Sequence, residues 1–101
     1  MIVVVFRSRL RPEAAETYPA MAAEMSRLAQ GMPGYISHKG FVAADGERVT
    51  IAEFESEEAV EAWRVHDEHR RAKRHGFTEF FAEFSYRICA VLRDKSWTRK
   101  A

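Results

Sequence analysis

The chain has 101 residues, 47% of them hydrophobic, and a formal net charge of +1. This length predicts one domain, and the hydrophobic fraction excludes a disordered chain. The near balance of charges gives no electrostatic basis for a nucleic-acid partner. The single cysteine, Cys89, excludes an internal disulfide and fits a cytoplasmic location. The longest apolar run, residues 2–6, is too short for a membrane span, so we expect neither a membrane anchor nor a signal peptide.

The first predicted elements are a strand and a helix. Residues 2–10 are β-branched at first and then alternate between apolar and basic side chains, which predicts a strand. Pro12 suits the first turn of a helix, and apolar residues recur at helical spacing over residues 18–29. Pro19 interrupts this pattern and predicts a kink or a late regular start, whereas Gly31 predicts the end of the helix.

The middle of the chain predicts a hairpin followed by a second helix. Residues 35–43 and 48–55 alternate as strands, and the Asp45-Gly46 pair between them is a strong turn signal. Ser56 is placed to cap a helix over residues 57–75, with two glutamates in its first turn.

The C-terminal part predicts one more strand. Gly76 is expected to end the second helix, and residues 77–81 are expected to form an extra turn. Residues 85–93 alternate as a last strand. The predicted domain therefore covers residues 1–93, and residues 94–101 form a polar tail.

The order of these elements predicts an α+β fold of the ferredoxin-like βαββαβ type with a four-stranded antiparallel sheet. Two helices cover one face of such a sheet, yet the first and last predicted strands are apolar on both faces. The uncovered face needs apolar cover, and a second copy of the same sheet is the simplest source. The pattern therefore favours a homodimer with two sheets face to face.

Four stretches carry a resemblance to a known family. They are residues 6–16, the Met32-Pro33-Gly34-Tyr35 motif, residues 54–63, and the Trp63–Arg70 run leading to Tyr86-Arg87-Ile88. Together they resemble the antibiotic biosynthesis monooxygenase family, a branch of the dimeric α+β barrel proteins, over about residues 1–93.

The resemblance implies a small monooxygenase that acts on an aromatic or quinol-like molecule without metal or flavin. Two alternatives remain open: a non-catalytic dimer that binds a hydrophobic small molecule, and a haem-binding or haem-degrading relative. The haem-degrading members pair a helix histidine and a tryptophan with a strand asparagine. This chain contains no asparagine, which counts against haem degradation and favours the binding dimer over catalysis.

The candidate catalytic residues are Trp63, His66 and His69. At ~100° per residue they fall within one arc of the second predicted helix, where they are expected to line a pocket against the sheet. An imidazole titrates near neutrality and can accept the proton of a phenol or quinol. The alternative is structural, with Trp63 in the core and both histidines at the solvent edge. His66-x-x-His69 alone supplies two ligands, so no metal site is predicted.

The candidate substrate-binding residues are Phe6, His38, Trp63 and Tyr86. His38 is expected to share a strand face with Ile36 and Val42, and Tyr86 to donate a hydrogen bond to a substrate oxygen. The alternatives are a hydrogen-bonded interior role for His38 and cross-strand packing for Tyr86.

Overall fold

The computed structural model describes residues 1–74 and 79–100, and the side chains of all of these except residues 67–74. Within these residues the elements in chain order are strand β1 (Ile2–Leu10), a 3-10 turn (Pro12–Ala14), helix α1 (Tyr18–Gln30), strand β2 (Tyr35–Val42), strand β3 (Arg48–Phe54), helix α2 (Glu57–Arg74) and strand β4 (Phe81–Ala90). No helix in these ranges combines the length and the apolar character needed to cross a membrane. The expected end of α2 at Gly76 and residues 77–78 of the expected turn lie outside the described residues, and Phe81, expected to close that turn, instead begins β4.

The four strands form one antiparallel sheet in the order β2-β3-β1-β4, which confirms the predicted βαββαβ fold. Ile2 and Phe54 are register partners and are buried against Ala59 and Val60 of α2. Because side chains alternate along a strand, the even-numbered residues of β1 face the helices. Val3 and the other odd-numbered residues of β1 lie on the helix-free face.

Proline delays the regular part of α1, as predicted. Pro12 opens a separate 3-10 turn, and the α-helix begins only at Tyr18, with Pro19 in its first turn. Proline is tolerated there because the first amides of a helix have no intrahelical partner. Gly31 caps the C-terminal end, also as predicted.

Strand β4 differs from the predicted range of 85–93, since it begins at Phe81 and ends at Ala90. The early start follows from aromatic packing, because the Phe81 ring lies 5.7 Å from that of Phe6. The early end follows from pairing, because Ala90 is opposite Ile2, the first residue of β1. The Val91 amide still donates to the Met1 carbonyl at 3.1 Å, but Met1 is the first residue of the chain, so the ladder with β1 ends there.

The Asp45-Gly46 pair forms the predicted turn between β2 and β3, with Gly46 at φ 91°. The Asp45 carboxylate accepts hydrogen bonds from the Glu47 amide and from the Arg9 guanidinium. These bonds, the amide first, lower the pKa of Asp45 from its ordinary value. The stabilisation that they provide is present above the ordinary aspartate range and is lost as the pH falls.

A close contact fixes the start of β2 against the start of α2. Gly34 has φ +84°, and a Cβ added there would lie 2.6 Å from the Cβ of Ala59. The Gly34 carbonyl also accepts a hydrogen bond from the Glu55 amide at 2.8 Å. Only glycine meets both the conformation and the space at this point.

Gly34→Ala is expected to destabilise the fold strongly. The left-handed backbone costs about 1–2 kcal/mol for a residue with a Cβ, and crowding adds about 1–3 kcal/mol. The matched control is Gly46→Ala, which has a similar φ of +91° but open space around its Cβ. Urea unfolding at one fixed protein concentration measures both. Equal destabilisation of the two variants would contradict the role of the contact with Ala59.

Candidate functional site

A cavity of about 730 Å³ lies between the helices and the helix-facing side of the sheet. Its volume falls in the range of small-molecule binding sites. Phe54 and Val60 of one buried core cluster contribute to its wall, as do Phe6 and Tyr18, which pack against the other cluster.

The two helices supply one continuous side of the wall. The contributing residues of α1 recur at helical spacing: Tyr18, Met21, Ala22, Met25, Ser26 and Ala29. This is largely the apolar face predicted from the sequence. Helix α2 adds Val60, Trp63 and Arg64, again one face of a helix.

The opposite side of the cavity is the sheet, and small residues in β2 and β3 leave the space. Gly40 and Thr50 are register partners, and Ala52 lies opposite His38. An added Cβ at Gly40 would meet its nearest heavy atom, the Thr50 hydroxyl oxygen, only at 3.9 Å. The cavity therefore extends over the β2–β3 half of the sheet, where the side chains are short.

All four predicted substrate-binding residues, Phe6, His38, Trp63 and Tyr86, lie on the cavity wall. Tyr86 is 46% exposed, so the cavity is open toward β4.

The predicted catalytic residues are placed differently. Trp63 lines the cavity, and the half-buried His66 ring lies 6.1 Å from the indole ring. Among the described residues that form the wall, His66 is not included. The side chain of His69 lies outside the described residues.

Both ring nitrogens of His38 are hydrogen-bonded to side chains of the cavity wall. The Tyr35 hydroxyl lies 2.6 Å from Nδ1, and the Ser26 hydroxyl oxygen lies 2.8 Å from Nε2. Gln30 donates to the Ser26 oxygen at 3.3 Å. A neutral imidazole has one donor and one acceptor nitrogen, so this hydrogen-bonded Tyr35–His38–Ser26 chain can pass a proton from one hydroxyl group to the other.

Sequence reasoning missed Tyr35 and Ser26, and it misplaced Ile36. The register of β2 shifts between Tyr35 and Ser37, which puts Tyr35 on the face of His38. Ile36, expected on that face, is instead 45% exposed. The Met32-Pro33-Gly34-Tyr35 motif could have indicated an irregular start of β2, because a glycine directly before a strand is typical of a backbone with positive φ.

Two arginines on the wall have different surroundings. Arg64 pairs with Glu61 at 2.8 Å, and its hydrogen bond lowers the pKa of the Glu61 carboxyl. Arg48 lies with its guanidinium carbon 5.2 Å from the centre of the Tyr18 ring. In the described ranges, no three His, Cys, Asp or Glu side chains converge as a metal site would require.

Filling the floor of the cavity should block binding without unfolding the protein. Gly40→Val adds a branched side chain that suits a strand and projects into open space. Titration with N-phenyl-1-naphthylamine, a neutral fluorescent aromatic, should show affinity lower by about tenfold or more. Ala44→Val, in the exposed hairpin, is the control and should bind the probe normally. Unchanged affinity of the Gly40 variant would show that the probe binds elsewhere.

Comparisons with known proteins identify the family. The model of the antibiotic biosynthesis monooxygenase family matches residues 1–75. The uncharacterised protein YqjZ of Bacillus subtilis is 30% identical over 92 residues, which cover 91% of this chain and 80% of YqjZ. The structure of Rv0793 from Mycobacterium tuberculosis is 24% identical, with a TM-score of 0.79 and coverage of 94% of this chain and 98% of Rv0793.

Two further solved structures share the fold at low identity. SnoaB from Streptomyces nogalater, a cofactor-independent oxygenase, is 15% identical with a TM-score of 0.74, covering 92% of this chain and 94% of SnoaB. A MhuD variant with two manganese protoporphyrin IX molecules per active site is 16% identical with a TM-score of 0.72, covering 96% of this chain and all of MhuD. Identities this low show the fold alone. The family match and the similarity to YqjZ show more: the chain belongs to the antibiotic biosynthesis monooxygenase family.

Proposed function

We propose that the protein is a small cofactor-independent monooxygenase that oxidises an aromatic or quinol-like molecule in the cavity. The observation that carries the proposal is the Tyr35–His38–Ser26 chain on the wall of an otherwise largely apolar cavity. Such a wall binds an aromatic ring, and the imidazole can accept its acidic proton. The family and the fold shared with SnoaB support this reaction class.

The proposed reaction begins with loss of a proton from the substrate. The substrate oxygen gives its proton to the Tyr35 hydroxyl as that hydroxyl passes its own to Nδ1 of His38, and Nε2–H remains bonded to Ser26. The electron-rich anion then reduces dioxygen and forms a carbon–peroxide bond. The phenolic form of such a substrate is the enol of a ring CH₂ group, and the new bond forms at that carbon. The proton held by His38 then returns to the peroxide, and the hydroperoxide loses water. The net change is CH₂ + O₂ to C=O + H₂O, so the substrate supplies all the electrons. The protein contributes binding, orientation and the proton acceptor.

The remaining wall residues have positioning roles in this proposal. Trp63 and Phe6 hold the ring of the substrate, because aromatic pairs favour offset or edge-to-face contact. Tyr86, at the open side, donates a hydrogen bond to a substrate oxygen. Neither role requires a metal or an organic cofactor.

His66 and His69 remain the alternative proton acceptors. His66 contacts Trp63, so a bound ring against the indole would lie near its imidazole. His38 is favoured because its ring is on the wall and is held at both nitrogens.

Haem does not fit the described wall. His38 is the histidine among the described wall residues, and both of its ring nitrogens already have hydrogen-bond partners. An axial ligand needs one nitrogen free for iron. The part of the wall that is described therefore offers no imidazole for haem ligation.

Oxygen uptake with a panel of hydroquinones and anthrone-type phenols tests the proposal. His38→Gln keeps a polar side chain but removes the base, so turnover should fall by about 10²- to 10⁴-fold. Tyr35→Phe should lower turnover as well, because it removes the hydroxyl between substrate and imidazole.

The control is Ser37→Ala, which removes a hydroxyl from the same strand but on the opposite sheet face, where Ser37 bonds Glu53. It should retain full turnover. If His66→Ala/His69→Ala abolished uptake while His38→Gln retained it, the base would lie on α2. If no substrate gave uptake above background while aromatic probes still bound, the non-catalytic binding dimer would replace the proposal.

We also propose that the chain works as a homodimer through the helix-free sheet face. Val3, Val5 and Ile51 form an apolar centre there, and Ile51 is 39% exposed. The Arg7–Glu47 and Arg9–Asp45 ion pairs lie toward one end of this face. An apolar centre with a charged edge is the usual composition of a protein interface.

Ile51→Lys is expected to convert the dimer to a monomer, because two like charges would meet near the centre of the interface. Sedimentation velocity at micromolar concentration measures the mass. Val65→Lys, at an exposed position of α2 on the other side of the sheet, is the control and should remain dimeric. A monomeric mass for the unmodified protein would defeat this part of the proposal.

The cytoplasm is the proposed location. Cys89 is exposed on the sheet and unpaired. A free thiol persists best in a reducing compartment.

A further inference from the structure

Arg48 is the first residue of β3 and lies at one end of the cavity wall. Its side chain is half-buried and held over the ring of Tyr18, with 5.2 Å between the guanidinium carbon and the ring centre. A cation over an aromatic face is stabilised and oriented by the contact, but its charge is not neutralised.

No carboxylate neutralises Arg48 within the described part of the chain. Its cross-strand neighbours are Ser8 on β1 and Val42 on β2, neither of which is acidic. Arg64, the other arginine of the wall, is paired with Glu61. A guanidinium that is partly removed from water and has no anion beside it is a preformed site for one.

The register places Arg48 and His38 at separate points of the same wall. His38 is opposite Ala52, and Arg48 precedes Ala52 by four residues on β3. At ~3.3 Å per residue, the two backbone positions are about 13 Å apart along the strand. The small residues Gly40 and Thr50 lie between them and leave room for a flat molecule.

We infer that the natural ligand is an aromatic molecule with a single anionic group, a carboxylate or an acidic phenol oxygen, and that Arg48 binds this group. The inference deepens the proposed function and rests on it for the cavity as the substrate site. The anion anchors one end of the ligand at Arg48 and directs the other end toward the Tyr35–His38 pair. Among the described residues of the wall, Arg64 is already paired with Glu61, and a single unpaired guanidinium favours a monoanion over a phosphate.

Two fluorescent probes with the same aromatic skeleton test the inference. They are 8-anilinonaphthalene-1-sulfonate, which is an anion, and N-phenyl-1-naphthylamine, which lacks the sulfonate. The unmodified protein should bind both probes, and a higher salt concentration should lower the affinity for the anionic probe only. Arg48→Gln should weaken the anionic probe by about tenfold or more and leave the neutral probe unchanged, as expected for loss of a charge-assisted contact. Arg48→Lys should retain part of the preference.

Two controls separate this site from other binding. Arg27→Gln removes an exposed arginine of α1 and should change neither affinity. Gly40→Val should weaken both probes, which places them in the cavity. Equal loss of both probes in Arg48→Gln, or no saturable binding of the anion, would overturn the inference. Anion preference that depends on Arg48, together with no oxygen uptake on any quinol, would sustain the inference and reject the oxygenase proposal.

Discussion

The contact between Gly34 and Ala59 is the constraint on which the site depends. A glycine in the left-handed region lets the chain leave α1 and enter β2 directly against the start of α2. Tyr35 is the next residue, so the same contact sets where its side chain begins. The register shift that follows places Tyr35 and His38 on one face within hydrogen-bonding distance. A side chain at position 34 would move the start of β2, and the polar chain on the wall with it.

The cavity is a consequence of uneven side-chain size across one sheet face. Toward β4, Phe6 packs on Phe81 and Phe84, with ring centres 5.7 and 5.8 Å apart. Toward β2, Gly40, Thr50 and Ala52 are too short to reach the helices. A sheet that was bulky throughout would close on α1 and α2 as an ordinary core. The protein therefore lacks the stability that such packing would supply, and it has an open cavity in its place.

Local patterns were sufficient to predict the fold, because each element carries its own signal. Periodicity located both helices, Pro19 indicated the late start of α1, and Asp45-Gly46 marked the turn. The site was less predictable. Ser26 and His38 lie on different elements, and their contact depends on tertiary packing. The periodicity of hydrophobic residues does not predict such a contact. Simple alternation also fails at the register shift of β2, which is why Ile36 was expected where Tyr35 lies. The ends of β4 depended on contacts with β1, the Phe6–Phe81 packing at one end and the Ile2–Ala90 pairing at the other, which are also long-range effects.

Under the proposed function, the polar groups of the wall let an otherwise largely apolar cavity direct a reaction. A hydrogen bond at each ring nitrogen holds the imidazole plane of His38, so little reorganisation is needed when a proton arrives. The same two bonds keep His38 from serving as a metal ligand, and this favours proton transfer over coordination as its use. Arg48 lies farther along β3 and differs from His38, because its guanidinium stays charged and does not release a proton. No group among the described residues neutralises this charge. In the proposed arrangement, a molecule that binds both groups at once is oriented along the cavity, with its anion at Arg48 and its oxidisable oxygen near Tyr35.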